Sequence, residues 1–107
     1  MQTISTTKEI IQNIGKIFEK GLQNEYLSRS IGKIIEHEKE RTTKEVNMLK
    51  KELSRFESAY QMSSADFFDR FEKGEMGDNE DYFEWSAMYQ MYEKSLDRLN
   101  ILEAPSV

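Results

Sequence analysis

Residues 82–99 read YFEWSAMYQMYEKSLDRL, and their apolar side chains follow the most regular helical spacing in the chain. The repeat alternates steps of three and four residues, which brings its members onto one face of an α-helix. It runs through Tyr82, Trp85, Tyr89, Tyr92, Leu96 and Leu99, and Met88, Met91 and Leu102 widen it. The sequence therefore predicts a C-terminal helix over about residues 79–102.

A second apolar seam lies upstream, within a long helix predicted over about residues 25–61. Its members are spaced three and four residues apart, as in a coiled coil, and they are Val46, Leu49, Leu53, Phe56 and Tyr60. Toward the N-terminus we expect the seam to weaken at Thr42. A helix of this length measures roughly 55 Å at about 1.5 Å per residue and cannot bury its stripe alone. We expect it to pack antiparallel to the C-terminal helix, within one chain or exchanged between two chains.

A first helix is predicted near the N-terminus, over about residues 6–22. Thr6 and Glu9 have the spacing of a capping box, and isoleucines at helical spacing follow them. Gly21 or Asn24 would end this helix in a left-handed turn. A lone glycine costs a helix only about 1 kcal/mol relative to alanine, so the helix would equally run on into the next one.

Two further start signals lie beyond the long helix. Ser63 and Asp66 have capping spacing and predict a short helix over about residues 64–73. Asp78 and Asp81 predict the start of the C-terminal helix, because carboxylates are favoured at the positive end of the helix dipole.

Composition agrees with an all-α fold in a single domain spanning residues 1–107. The chain weighs 12.7 kDa, is 33% charged and 37% apolar, and has one proline and no cysteine. This balance favours long solvated helices that bury one stripe, as a helical hairpin or bundle that is also dimeric. The absence of cysteine excludes disulfides and thiolate chemistry. No leader pattern or membrane-length apolar run is visible, so we expect a cytoplasmic protein that does not bind membranes.

The charge is concentrated in the segment between the two seams. Residues 63–85 hold eight acidic and two basic side chains, whereas the whole chain has a net charge of −5. Nucleic-acid binding usually needs a basic face, so we expect no direct binding of nucleic acid. An acidic segment that is also aromatic favours a basic protein partner.

No pattern of catalytic or metal-binding residues stands out. His37 is the only histidine, and with Glu40 it would supply at most half of a metal site, so a solvated surface histidine is the simpler interpretation. Asp69 and Asp78 do not start an EF-hand frame, because the oxygen ligands and the glycine never coincide. We therefore expect no metal, no cofactor and no enzymatic activity.

The aromatic side chains of residues 67–92 are open to two interpretations. They would form an ordinary core, or they would contact a protein partner, since large aromatics and methionine are enriched at interfaces. The candidate partner-binding residues are Phe67, Phe68, Phe71, Asp78, Tyr82, Phe83, Glu84 and Trp85. The candidate helix-packing or oligomer residues are Val46, Leu49, Leu53, Phe56, Tyr60, Tyr89, Tyr92, Leu96 and Leu99.

Residues 62–85 read MSSADFFDRFEKGEMGDNEDYFEW, and this segment resembles a recurring part of small prokaryotic helical antitoxins of the TumA/TumE type. The matching pattern is Met-Ser-Ser, a phenylalanine-rich helical turn, Gly-x-x-Gly-Asp and an acidic-aromatic entry that ends in Glu-Trp. The best-matched positions are Gly74, Gly77, Asp78, Phe83, Glu84 and Trp85. The resemblance covers about a third of the chain. It implies a non-enzymatic protein that neutralises a small toxin encoded beside it.

These observations lead to one functional prediction and one alternative. The acidic-aromatic C-terminal half would dock on a basic toxin, with carboxylates steering and aromatic side chains anchoring. The alternative is a structural helical homo-oligomer, a coiled-coil spacer or scaffold with no separate partner.

Overall fold

The computed structural model describes residues 6–104, and all regular structure in that range is helical. Four helices follow one another: α1 Thr7–Glu19, α2 Glu25–Tyr60, α3 Ser64–Glu72 and α4 Glu80–Glu103. The predicted all-α fold, with a long helix followed by C-terminal helices, is confirmed. The chain divides inside α2 into two compact units, Met1–Ile34 and Ile35–Val107, called here the first unit and the second unit.

The first unit contains α1 and the start of α2. The predicted capping box is present, because the Thr6 hydroxyl accepts from the Glu9 N–H at 3.1 Å and the Glu9 carboxylate accepts from the Thr6 N–H at 3.3 Å. α1 ends before Gly21, whose φ of 67° lets the Leu22 N–H donate to the Ile17 carbonyl at 2.9 Å. Asn24 instead caps α2, since its side chain accepts from the Leu27 N–H. The two helices are therefore separate.

α1 is amphipathic, yet none of its residues is buried. Ile14 and Ile17 are half-buried, whereas Ile10, Ile11 and Phe18 are exposed. The α2 part of the first unit likewise contains no buried residue.

The second unit is built around the predicted pairing of α2 with α4. The rings of Tyr60 and Tyr82 lie 5.4 Å apart between centroids, and those of Phe56 and Trp85 lie 5.6 Å apart. Later residues of α4 therefore contact earlier residues of α2, so the two helices are antiparallel. Val46, Leu49 and Leu53 of the α2 seam are buried.

Thr42 departs from the expectation that the seam weakens at its position. Its side chain is 2% exposed, so the buried stripe of α2 extends one helical turn further toward the N-terminus than predicted. Ser95 of α4 is also buried. Both are small polar side chains, and the described residues include no buried side-chain nitrogen or oxygen that lacks a partner.

α3 connects the two long helices and has defined ends. The Ser63 hydroxyl accepts from the Asp66 N–H at 3.1 Å, as the spacing predicts. At the other end Gly74 has φ 74°, and the Glu75 N–H donates to the Arg70 carbonyl at 2.9 Å. This hydrogen-bond pattern is the Schellman motif. Its positive φ favours glycine, because the backbone of a residue with a side chain is strained there.

The sequence predicts that Asp78 caps α4, and this prediction is wrong by one residue. The capping residue is Asn79, whose side-chain oxygen accepts from the Asp81 N–H at 2.9 Å, and the helix begins at Glu80. The neighbouring Gly77 is left-handed at φ 85°, so Asp78 still belongs to the turn. An amide oxygen caps as effectively as a carboxylate, and Glu80 and Asp81 supply the favourable first-turn charge.

None of the helices in residues 6–104 is both long enough and apolar enough to cross a lipid bilayer.

Candidate functional site

The aromatic core of the second unit lies beneath the predicted partner-binding segment. The Trp85 ring stacks on Phe67 with 3.8 Å between centroids and 5° between planes, and it also stacks on Phe56. Both Phe67 and Trp85 are 0% exposed. These two side chains therefore cannot contact a partner in this conformation, which corrects their assignment to the surface. α3 places Phe67 against α4, and this contact joins the three helices of the unit.

Two hydrogen bonds tie α3 to its neighbours. The Trp85 indole N–H donates to the Ser64 hydroxyl at 2.9 Å, and the Ser64 backbone N–H donates to the Glu57 carboxylate at 2.8 Å. Ser64 opens α3, where backbone N–H groups have no helical acceptor. Glu57 supplies that acceptor from α2 and also places negative charge at the positive helix end. Sequence reasoning missed Glu57, because this contact joins two helices and leaves no local spacing signal.

A second polar junction joins the end of α2 to the start of α4. The Tyr60 hydroxyl donates to the Asp81 carboxylate at 2.6 Å, while the Asn79 amide donates to the Tyr60 oxygen at 3.5 Å. The hydrogen bond to Asp81 is the main reason that the pKa of Tyr60 is raised, because the carboxylate favours the protonated phenol. Asp81 is thus engaged within the chain even though it is exposed.

The exposed surface above this core is acidic and carries one large apolar side chain. We define the acidic ridge as residues 78–84, where Asp78, Glu80, Asp81 and Glu84 are all exposed. Phe83 lies among them with 57% of its surface exposed. Its ring packs edge-on against Phe71, at 5.5 Å between centroids and 89° between planes. The core therefore supports one side of the Phe83 ring while solvent reaches the rest.

The predicted partner-binding residues divide into three groups by burial. Phe67 and Trp85 are buried, Phe68, Phe71 and Tyr82 are half-buried, and Asp78, Phe83 and Glu84 are exposed. Phe68 packs against Tyr89 at 5.1 Å, so it belongs mainly to the core wall.

The predicted helix-packing residues all lie on the buried side of their helices. Val46, Leu49 and Leu53 are buried, and the others are half-buried: Phe56, Tyr60, Tyr89, Tyr92, Leu96 and Leu99. Burial raises the pKa of Tyr89, and the nearby Glu93 adds to the effect. Within one chain, Phe56 and Tyr60 of this set stack on Trp85 of α4.

The second unit also has a shallow groove between its helices. It has a volume of about 390 Å³ and is lined by residues that include Lys50, Leu53, Glu57, Ser64 and Tyr89. Glu57 and Ser64 already bond to neighbours there, and the groove is open to solvent. Among the described residues no group of three or more histidine, aspartate or glutamate side chains converges on a point that could hold a metal ion. His37 is exposed, far along the sequence from this region.

Comparison of the chain with protein-family models, with curated proteins and with solved structures finds no match. The resemblance of residues 62–85 to antitoxins of the TumA/TumE type therefore stays a prediction.

Proposed function

We propose that this protein is a non-enzymatic protein-binding module, an antitoxin that neutralises a small basic toxin through the acidic ridge. The observation that supports this most directly is Phe83, which is 57% exposed among four exposed acidic side chains. A supported aromatic ring within a charged rim is the usual composition of an interface anchor.

The proposal gives the exposed and the buried side chains different roles. Phe83 anchors, because its ring already rests on Phe71 and loses little freedom on binding. Asp78, Glu80 and Glu84 attract the basic partner and raise the rate of association. Phe67 and Trp85 hold the platform from below and do not touch the partner. The bound antitoxin covers the toxin surface that would otherwise engage RNA or substrate.

The test is co-expression with the neighbouring reading frame, followed by co-purification and titration of the two purified proteins. Phe83→Ala is expected to weaken binding at least about tenfold, since removing an interface anchor costs about 2 kcal/mol or more. Glu84→Lys is expected to slow association and to reduce its dependence on salt.

Ile101→Ala is the matched control for Phe83→Ala, because Ile101 is an exposed apolar residue on the same helix, 67% accessible and 18 positions away. It is expected to bind as the wild type does. Recovery of the two proteins separately at micromolar concentration, or equal binding by the Phe83 variant, would contradict the proposal.

The second candidate function is a structural homo-oligomer without a separate partner. The exposed apolar side chains of α1 favour it, because a helix with an uncovered apolar face needs a surface to cover it. Under this alternative the Phe83 and Glu84 substitutions have no effect on any binding reaction.

A further inference from the structure

Exposed apolar side chains are concentrated in the first unit. Six large ones stand 37–78% exposed among its described residues 6–34: Ile10, Ile11, Phe18, Leu22, Tyr26 and Ile34. The second unit is about twice as long, and its described residues 35–104 include four, Met48, Phe83, Met91 and Ile101. Scattered single exposures are normal on a protein surface, but six in so short a segment are not.

On α1 these side chains form one continuous face. Ile10, Ile14 and Ile17 follow helical spacing, and Ile11 and Phe18 flank them at an interval of seven residues. Lys8, Gln12, Lys16 and Glu19 occupy the opposite face. A regular helix with this pattern normally packs its apolar face against another element.

The start of α2 in the first unit also leaves apolar side chains exposed, because Tyr26 and Ile34 are 78% and 61% accessible. The buried residues of α2 begin at Thr42. The apolar stripe nevertheless continues toward the N-terminus through Leu27, Ile31 and Ile35, which are half-buried, and Ile34, which is exposed.

The uncovered area matches what a dimer interface needs. Burying one aliphatic side chain contributes about 1.5–3 kcal/mol, which at about 25 cal/mol per Å² corresponds to roughly 60–120 Å² of apolar surface. An aromatic side chain buries about 150–250 Å². Weighted by their exposure, the six side chains therefore present roughly 300–600 Å² of apolar surface. A standard interface buries about 800 Å² per partner, of which about 57–65% is apolar. The apolar area that such an interface needs falls within the range that the six side chains present.

Charge indicates which occupant covers this surface. Residues 1–34 hold five basic and three acidic side chains, whereas residues 35–107 hold ten basic and 17 acidic ones. A basic protein that is attracted to the acidic second unit would therefore not be attracted electrostatically to the first unit, which is itself slightly basic. A lipid-binding helix usually has a strongly cationic polar face, but α1 places Glu9 and Glu19 among its lysines. A second copy of the chain requires neither kind of charge.

We infer that the first unit is a homodimerisation surface, in which the apolar faces of α1 and of the start of α2 pair with those of a second copy. A closed two-fold dimer is the commonest arrangement for such self-pairing. The predicted seam of residues 46–60 is already covered within one chain, so the dimer forms at the opposite end of α2. This surface is separate from the acidic ridge, so the inference goes beyond the proposed antitoxin function, and it also specifies where the homo-oligomer named as the second candidate would form.

Sedimentation velocity of the full chain across the micromolar range tests the inference. The wild type is expected to be a dimer, and the double variant Ile11→Glu/Phe18→Glu a monomer, with a dissociation constant raised at least about 100-fold because buried unpaired charges are strongly unfavourable. Both positions are solvent-accessible within one chain, so the helical circular dichroism signal of the monomeric variant should be unchanged.

Met48→Glu/Met91→Glu is the matched control, because these residues are 56% and 49% exposed but belong to the second unit. It is expected to remain dimeric. A monomeric wild type, a dimeric α1 variant or a monomeric control would each overturn the inference. So would a monomeric wild type that co-sediments with vesicles of mixed zwitterionic and anionic lipid, which would assign the same face to a membrane surface. Phe83→Ala should stay dimeric whatever its effect on toxin binding, so failure of this inference and failure of the proposed function are distinguishable.

Discussion

The two units of this chain use large side chains in opposite ways. The second unit stacks Trp85, Phe67 and Phe56 between three helices and leaves its exterior acidic. The first unit also has aliphatic side chains at helical spacing, yet no residue of α1 is buried. The difference is the third helix: α3 covers the core of the second unit, and the described part of the first unit contains no corresponding element. Regular spacing therefore identifies a helix face but does not tell what covers it.

The largest expected effect is on the core of the second unit. Trp85→Ala should lower the free energy of unfolding by about 3–5 kcal/mol, because it removes a fully buried ring. Urea denaturation followed by circular dichroism measures this. Phe18→Ala in the first unit should lower stability by less than about 1 kcal/mol under conditions where the chain is monomeric, since its ring is partly exposed. Equal losses in the two variants would contradict the contrast between the units.

A smaller effect is expected at the buried hydrogen bond beneath the acidic ridge. Ser64→Ala leaves the Trp85 indole N–H buried without its acceptor, which should cost about 1–3 kcal/mol. Ser54→Ala is the matched control, because the Ser54 hydroxyl bonds an exposed carbonyl of its own helix. Its melting temperature should be close to that of the wild type. A Ser64 variant as stable as the Ser54 variant would show that the indole finds another acceptor.

Replacing a glycine by alanine should change the free energy of unfolding in opposite directions in the two units. Gly74→Ala should destabilise the second unit by about 1 kcal/mol, because a residue with a side chain is strained at φ 74°. Gly15→Ala should stabilise α1 by about 0.5–1 kcal/mol, because this glycine is helical and its added Cβ meets nothing within 4 Å. Thermal melts by circular dichroism distinguish the two signs, and equal signs would contradict the assignment of Gly74 to a left-handed turn.

The smallest expected effect is a pH dependence confined to the second unit. The pKa of Tyr60 is raised above its ordinary value of 10.0 by the hydrogen bond to Asp81, so the folded state retains this proton longer than the unfolded state. The resulting stabilisation is present below pH 10 and is lost as the pH rises above it. Tyr60→Phe should therefore flatten the alkaline decline of stability in urea titrations. Tyr26→Phe, in the first unit, should leave the wild-type decline in place.

Much of the fold could be predicted from local patterns. The capping spacing of Thr6 with Glu9 and of Ser63 with Asp66 marked two helix starts, because those hydrogen bonds form within one turn. The alternating apolar steps identified both long helices. The exact start of α4 was missed by one residue, because Asp78 and Asn79 are both good capping residues and the backbone turn at Gly77 decided between them.

The candidate site was less predictable, because burial depends on contacts between distant segments. Phe67 and Phe83 are both phenylalanines in one acidic stretch, yet one is 0% and the other 57% exposed. The orientation of α3 between α2 and α4 makes this difference, and no spacing in the sequence encodes it. Glu57 likewise gains its role only when the start of α3 lies beside it.

The indole of Trp85 is the only one in the chain, and it is enclosed between rings and bonded to Ser64. Its fluorescence emission therefore reports on the second unit alone, with a spectrum that should shift to longer wavelength when that unit opens. Melting of α1 should leave the emission unchanged while the circular dichroism signal falls. The protein thus contains a natural optical probe with which the order of unfolding of its two units can be followed without any label.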